Sequence, residues 1–200
     1  MNNGYFCSMA IQESRKDQVI HTAADMFREK GYSATSMRDL ANKLGIEAAS
    51  LYSHIRSKEE ILQTLCFGMA DKFMHSLDRV EQQNISFEAK LRAGILGHIE
   101  VMADNLTASA VFMNEHRHLS GEHLHQFRLL RINYINRFKR IIECGIRAGE
   151  FRQIDTKLAV MTLFSSLNWM PHWYDPSGII KLEILGNQLA DMLIEGLKTK

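Results

Sequence analysis

Proline is almost missing from this chain: among 200 residues only Pro171 and Pro176 occur, both toward the C-terminal end. Glycine is held to twelve positions and alternating β-branched runs are scarce, so helix formers run uninterrupted and the expected fold is all-α. Cys7, Cys66 and Cys144 are odd in number and far apart, which excludes a disulfide framework. The opening MNNGYFCSMA has neither the basic start nor the apolar segment of an export leader, and no apolar run reaches the roughly 18–20 residues of a membrane span. A cytoplasmic protein with no membrane partner is expected. A glycine-rich phosphate loop, a metal-ligand pair four apart on a helix and a nucleophile elbow are also lacking, so no catalytic residue and no cofactor is assigned. Finally, neither charge dominates: 24 Lys and Arg oppose 23 Asp and Glu, a net charge of +1. Nucleic-acid binding has to be judged from where the cations fall on one face, not from their total.

What is present is concentrated between residues 35 and 62, in TSMRDLANKLGIEAASLYSHIRSKEEIL. A first helix over 14–30 is marked by Ser14 as its cap, by the stripe Ile20, Ala23, Ala24, Phe27 and by Gly31 as its stop. A second, short helix starts at the capping pair Ser36 and Asp39, carries Met37, Leu40, Ala41 and Leu44, and stops at Gly45. The stripe restarts at once with Ala48, Leu51, Tyr52 and Ile55, and the tight connection Leu44-Gly45-Ile46 makes the two helices cross steeply, as in a helix-turn-helix. The opposite face of the third helix, spanning 48–55, carries Ala49, Ser50, Ser53 and His54, small or polar groups suited to close approach and to bonding phosphates or base edges. Ser57-Lys58-Glu59-Glu60 then caps a fourth helix, whose stripe from Leu62 through Leu65, Cys66, Met69, Phe73 and Leu77 to Val80 makes it the expected lever between head and body.

Over residues 15–62, and most closely in FREKGYSATSMRDLANKLGI and SLYSHIRSKEEIL, the chain resembles the DNA-binding domain of TetR/AcrR-type transcriptional repressors. The resemblance implies that 48–55 is the recognition helix, that Tyr52, His54 and Lys58 meet phosphates and that Ala49 and Ser50 lie nearest the bases. Arg38 and Ser53 complete the expected DNA-facing set. Glu47, standing where that family usually has Ser, is not counted as a contact, because an anion beside phosphate is unfavourable.

The division expected is a helix-turn-helix domain over 10–62 and a helical ligand-binding and dimerisation domain over 63–200. In the second, helices are predicted over 87–105, 107–119, 122–148, 155–170 and 177–197, with Thr107, Asp155 and Ser177 as caps. Phe112 and Met113 lie beside the polar run NEHRHLSGEHLHQFR, and Met102, Met113, Met161 and Met170 are flexible enough to line an adaptable cavity. His116, His118, His123 and His125 crowd the same run. Pairs two apart on a helix point to different sides, and Gly121 interrupts, so no metal site is assigned. The stretch LNWMPHWYDPSG holds both tryptophans and both prolines, a composition that seals a core end or an interface.

In TetR-type proteins the last two helices form the dimer contact, and by that resemblance Trp169, Trp173, Leu182, Leu185 and Leu189 are the expected interface. WYDPSG and EHRHL further resemble regulators of acyl-CoA catabolism, which implies Arg117, His118 and Asn168 as polar contacts to an acyl thioester, in a pocket with Met102, Phe112, Met113 and Met161. The reading is a homodimeric repressor, released from a palindromic double-stranded DNA operator by a small-molecule effector of the acyl-CoA kind. The alternative is a helical architectural DNA binder or scaffold without an effector.

Overall fold

The computed structural model describes residues 14–198; Cys7 and residues 10–13, assigned above to the head, lie outside them. Among the described residues there are nine α-helices and no strand: α1 Arg15–Lys30, α2 Met37–Leu44, α3 Ala48–Tyr52, α4 Lys58–Glu81, α5 Phe87–Ala103, α6 Leu106–Asn114, α7 Gly121–Arg147, α8 Thr156–Asn168 and α9 Leu182–Glu195. Two 3₁₀ turns, His116–His118 and Met170–His172, extend α6 and α8.

Local chemistry explains most of these bounds. Ser14 accepts from the Asp17 amide, Ser36 and Asp39 complete a reciprocal capping box, and Gly45 ends α2 at a φ of 65°, a left-handed turn that glycine adopts at little cost. The third helix is shorter than its expected 48–55. It closes after Tyr52 because Ser53 Oγ donates back to the Ser50 carbonyl at 2.7 Å and the chain turns to drive Ile55 into the core. Ser57 caps α4 as expected, but the Glu60 carboxylate that would complete a box accepts instead from the Arg56 amide, at 2.8 Å.

Two expected caps fall elsewhere. Thr107 does not start α6; the helix begins at Leu106, and Asn105 before it accepts from Lys72 Nζ at 2.8 Å, while Thr107 faces Arg28. Ser177 does not start α9 either, because Asp175 accepts from both its amide (2.9 Å) and its hydroxyl (2.7 Å), locking a turn that delays the helix to Leu182. Asp155 caps α8 through the amides of Lys157 and Leu158.

Helices α1 to α3 form a head in which Phe27, Leu40, Leu51 and Ile55 are fully buried against Ile61 and Leu62 of α4. The rest forms a body around α5, which packs against α4, α7 and α9. Small residues set these approaches: a Cβ on Gly97 of α5 would run into Ser76 of α4, and one on Gly186 of α9 would lie 2.9 Å from Leu96 of α5. Arg137 of α7, almost buried, clamps α4 through Asp78 (2.7 Å) and Glu81 (2.8 Å). No helix among the described residues is long and apolar enough to cross a membrane.

Candidate nucleic-acid interface and effector cavity

On the head, the core residues Leu40, Leu51 and Ile55 orient α2 and α3 so that Arg38, Ala49, Ser50, Tyr52, Ser53 and His54 are all exposed. Tyr52 is an isolated large aromatic left 53% open, which no packing need explains. Arg56, not singled out by sequence pattern, adds an exposed cation beside them.

Lys58 has a different setting from the one expected. Its ammonium donates to the carbonyls of Tyr32 (2.8 Å) and Thr35 (2.7 Å) and lies 4.2 Å from the centre of the Tyr32 ring, and desolvation holds its pKa below the usual lysine value. Two of its three protons are thus committed to the loop between α1 and α2. At most one remains for a phosphate, and the main task of Lys58 in this structure is to join that loop to α4.

Head and body meet at a clasp. The Glu115 carboxylate, at the end of α6, accepts from the Tyr32 amide at 3.3 Å; His118 stacks on the Tyr32 ring at 5.2 Å; Glu59 at the start of α4 accepts from the amide and hydroxyl of Ser120 at 3.2 and 2.6 Å. The Ser120 hydroxyl is the chief reason why the Glu59 carboxyl titrates lower than usual. His118 is therefore part of the clasp, and Arg117 points to solvent from the same 3₁₀ turn. Neither lines the cavity, because α6 ends at Asn114 and not at 119.

The cavity lies above α4, among α5, α6, α7 and α8. Its floor is aromatic and buried: Phe73, His98, Phe112, Tyr134 and Phe164. Its mouth is half-buried and mobile in composition: Met74, Met113, Leu130, Arg131 and Ile135. Of the expected lining, Phe112, Met113 and Asn168 are brought together here. Met102 is sealed in the core with no exposure, and Met161 faces outward, since α8 presents its opposite side to the cavity. The volume is about 40 Å³, room for a few waters.

Sequence pattern missed Arg131 and His98. Arg131 Nη1 lies 2.9 Å from His116 Nε2, whose Nδ1 faces the Phe112 carbonyl at 3.0 Å, so the neutral imidazole donates to the carbonyl and accepts from the guanidinium. Burial and the arginine both disfavour protonation of His116. His98 occupies an apolar stripe, Leu91, Ile95, His98, Met102, and that polar interruption was the signal available. Cys66, beneath Arg131, has its thiol pushed up to about 12 by burial. Further along the histidine run His123 pairs with Gln63 at 3.0 Å and His125 is exposed, and among the described residues no three His, Cys, Asp or Glu side chains converge as metal ligands would.

A third surface lies on the far side of the body. Leu158, Met161 and Trp169 of α8 and the following turn, and Ile184 and Met192 of α9, are exposed large apolar residues, Trp169 by 62% and Met192 by 76%. Trp173 is also half open. Leu185, expected there, is buried with Gly186 on the side of α9 that faces α5, and Leu182 and Leu189 are only partly covered. The exposed stripe of α9 is displaced by one residue from the leucines that the resemblance implied.

Comparison with known proteins fits this arrangement. Residues 19–65 match the family model of bacterial regulatory proteins, tetR family, and residues 84–197 that of the tetracyclin repressor-like C-terminal domain. The chain is 27% identical over 188 residues to the HTH-type transcriptional repressor KstR2 of Rhodococcus jostii (strain RHA1), covering 93% of this chain and 92% of that protein. It is similar in structure to the ketosteroid transcriptional regulator KstR2 of Mycobacterium tuberculosis, with a TM-score of 0.89 at 24% identity over 94% of this chain and 97% of the other. AibR, solved in complex with isovaleryl coenzyme A and operator DNA, shares the fold with a TM-score of 0.80 at 23% identity, over 90% and 98% of the two chains.

Proposed function

The chain belongs to the TetR family of bacterial regulatory proteins and is a DNA-binding transcriptional regulator; from that premise we propose that it is a homodimeric cytoplasmic repressor, released from a palindromic operator by a coenzyme A thioester. The head, 10–62, reads DNA, and the body, 63–200, holds the effector and the second subunit.

The observation that carries this reading is the continuity from cavity to head. Phe73 and Met74 of the cavity and Lys58 and Glu59 of the head junction belong to one helix, α4, about 22 Å apart along its axis. The other wall reaches the head through Arg131, His116 and the neighbouring Glu115, which holds the Tyr32 amide. An effector that fills the cavity pushes on both routes at once. Release follows only to the extent that the effector binds the displaced state more tightly than the DNA-competent one.

The chemical class rests on the division of the cavity. An aromatic floor accepts an acyl group, while Arg131 at the mouth is a desolvated cation close to the path of an anionic tail. AibR carries an acyl-CoA and operator DNA on the same fold, so the architecture can accommodate both. The outward stripe Leu158, Met161, Trp169, Ile184 and Met192 supports pairing of α8 and α9 with those of a second copy, which would set two α3 helices about 34–36 Å apart, or a multiple of it, in successive major grooves.

Selection of duplexes from a random pool, followed by gel-shift titration with acetyl-, hexanoyl-, palmitoyl- and phenylacetyl-CoA, tests the reading. Enrichment of two-fold symmetric sites and release by at least one thioester at micromolar concentration is expected. Enrichment of symmetric sites with no release by any thioester would leave a DNA-binding dimer and reject the effector class.

A further inference from the structure

Within the floor of the cavity two polar atoms are sealed from water with no hydrogen-bond partner: His98 Nε2 and Asn168 Oδ1. A buried polar group left unmade is disfavoured, and groups of this kind in a folded protein ordinarily find a protein or water partner. Here both orphans belong to the same aromatic chamber. His98 is 2% exposed and stacks on Phe73 at 4.5 Å, with the Phe164 edge at 5.6 Å, so nothing in the walls but Asn168 and Tyr134 offers it a polar contact.

The proton positions follow from the surroundings. His98 Nδ1 lies 3.2 Å from the Tyr134 hydroxyl. Burial keeps that phenol protonated and holds the imidazole neutral, with its pKa depressed to about 3. The phenol, whose hydroxyl has no other hydrogen-bond partner among the described residues, donates to Nδ1, which leaves the ring hydrogen on Nε2. The Asn168 side chain stands near enough to favour the protonated ring, yet completes no hydrogen bond with it. The chamber therefore offers one unused donor and one unused acceptor side by side.

We propose that this pair selects an effector whose buried end carries a hydroxyl group, its oxygen accepting from His98 Nε2–H and its hydrogen donated to Asn168 Oδ1. The inference rests on the reading that this cavity takes the effector. A hydroxyl satisfies both atoms; a ketone satisfies only His98 and leaves Asn168 Oδ1 bare; a saturated chain end leaves both bare. The volume of about 40 Å³ suits the polar tip, and the remainder of the molecule leaves past Met74 and Met113 toward Arg131.

The test uses the full-length protein and three probes on one skeleton, benzyl alcohol, benzaldehyde and toluene, in calorimetric titration. Because toluene partitions better into any apolar site, the reading is the alcohol-to-toluene affinity ratio, wild type against variants. Asn168→Leu and His98→Phe are expected to lower that ratio about tenfold or more, with benzaldehyde affected by His98→Phe and little by Asn168→Leu. A ratio unchanged in either variant overturns the proposal. Should a variant fail to fold, nitrogen-15 spectra of the unmodified protein decide: the His98 Nε2–H resonance shifts with benzyl alcohol and not with toluene, and an equal response to both overturns it. Since none of the probes is a thioester, failure of coenzyme A esters to release DNA would reject the effector class without bearing on this preference.

Discussion

His98 and Lys58 carry opposite lessons about charge in this molecule. The imidazole is held neutral, so between about pH 6.5, where an ordinary histidine titrates, and pH 3 the unfolded chain binds a proton that the folded one refuses. Stability is complete above pH 6.5 and falls as the pH is lowered through that window, by up to about 1.4 kcal/mol per pH unit for one such group. His116, depressed for the same reason, adds in the same direction. Urea denaturation at pH 7 and pH 5 is expected to show a smaller acid loss in His98→Phe than in the wild type; equal losses would mean that His98 titrates normally. Such residues are the hardest to read in a sequence. His98 betrays itself only by interrupting an apolar stripe, while the conspicuous His116, His118 and His123 serve as hydrogen-bonding and stacking groups. Lys58 likewise looks like a phosphate ligand until the loop carbonyls of Tyr32 and Thr35, 26 and 23 residues earlier, are folded beneath it.

Whole elements were more legible than single contacts. Helix-scale periodicity, Ser36 with Asp39, Gly45 and Asp155 all act within four residues, and α1, α2, α4, α7 and α8 start within a residue or so of where those signals put them. Thr107 and Ser177 misled because a serine or threonine before an apolar run is a cap only if no nearer group claims it, and Asp175 claims Ser177. How helices join was not legible at all, since it depends on pairs such as Arg137 with Asp78 and Glu81, 59 and 56 residues apart. Arg137→Ala removes that clamp between α4 and α7. With the carboxylates half open to solvent, thermal or urea unfolding is expected to show a loss of roughly 1–2 kcal/mol, and operator binding should remain when measured well below the lowered melting temperature. A loss within error would mean that water replaces the guanidinium without cost.

For the molecule as a whole, α8, the turn after it and α9 leave Leu158, Met161, Trp169, Ile184 and Met192 open to solvent, which is much apolar surface for a lone subunit. Met192→Glu is expected to shift sedimentation from dimer to monomer and to weaken binding to a symmetric site about a hundredfold or more, with the fold intact by circular dichroism. Leu185→Glu, two turns away but buried beside α5, should unfold the chain instead. A Met192→Glu protein that still sediments as a dimer would move the interface elsewhere. On the proposed reading, the narrow chamber of the body sets a tempo as well as a preference. With space for only a few waters, it would take an effector only as its half-buried lining, Met74, Met113 and Ile135 among it, moves aside. However abundant the effector becomes, the response can be no quicker than that opening, and brief surges shorter than the interval between openings pass unnoticed.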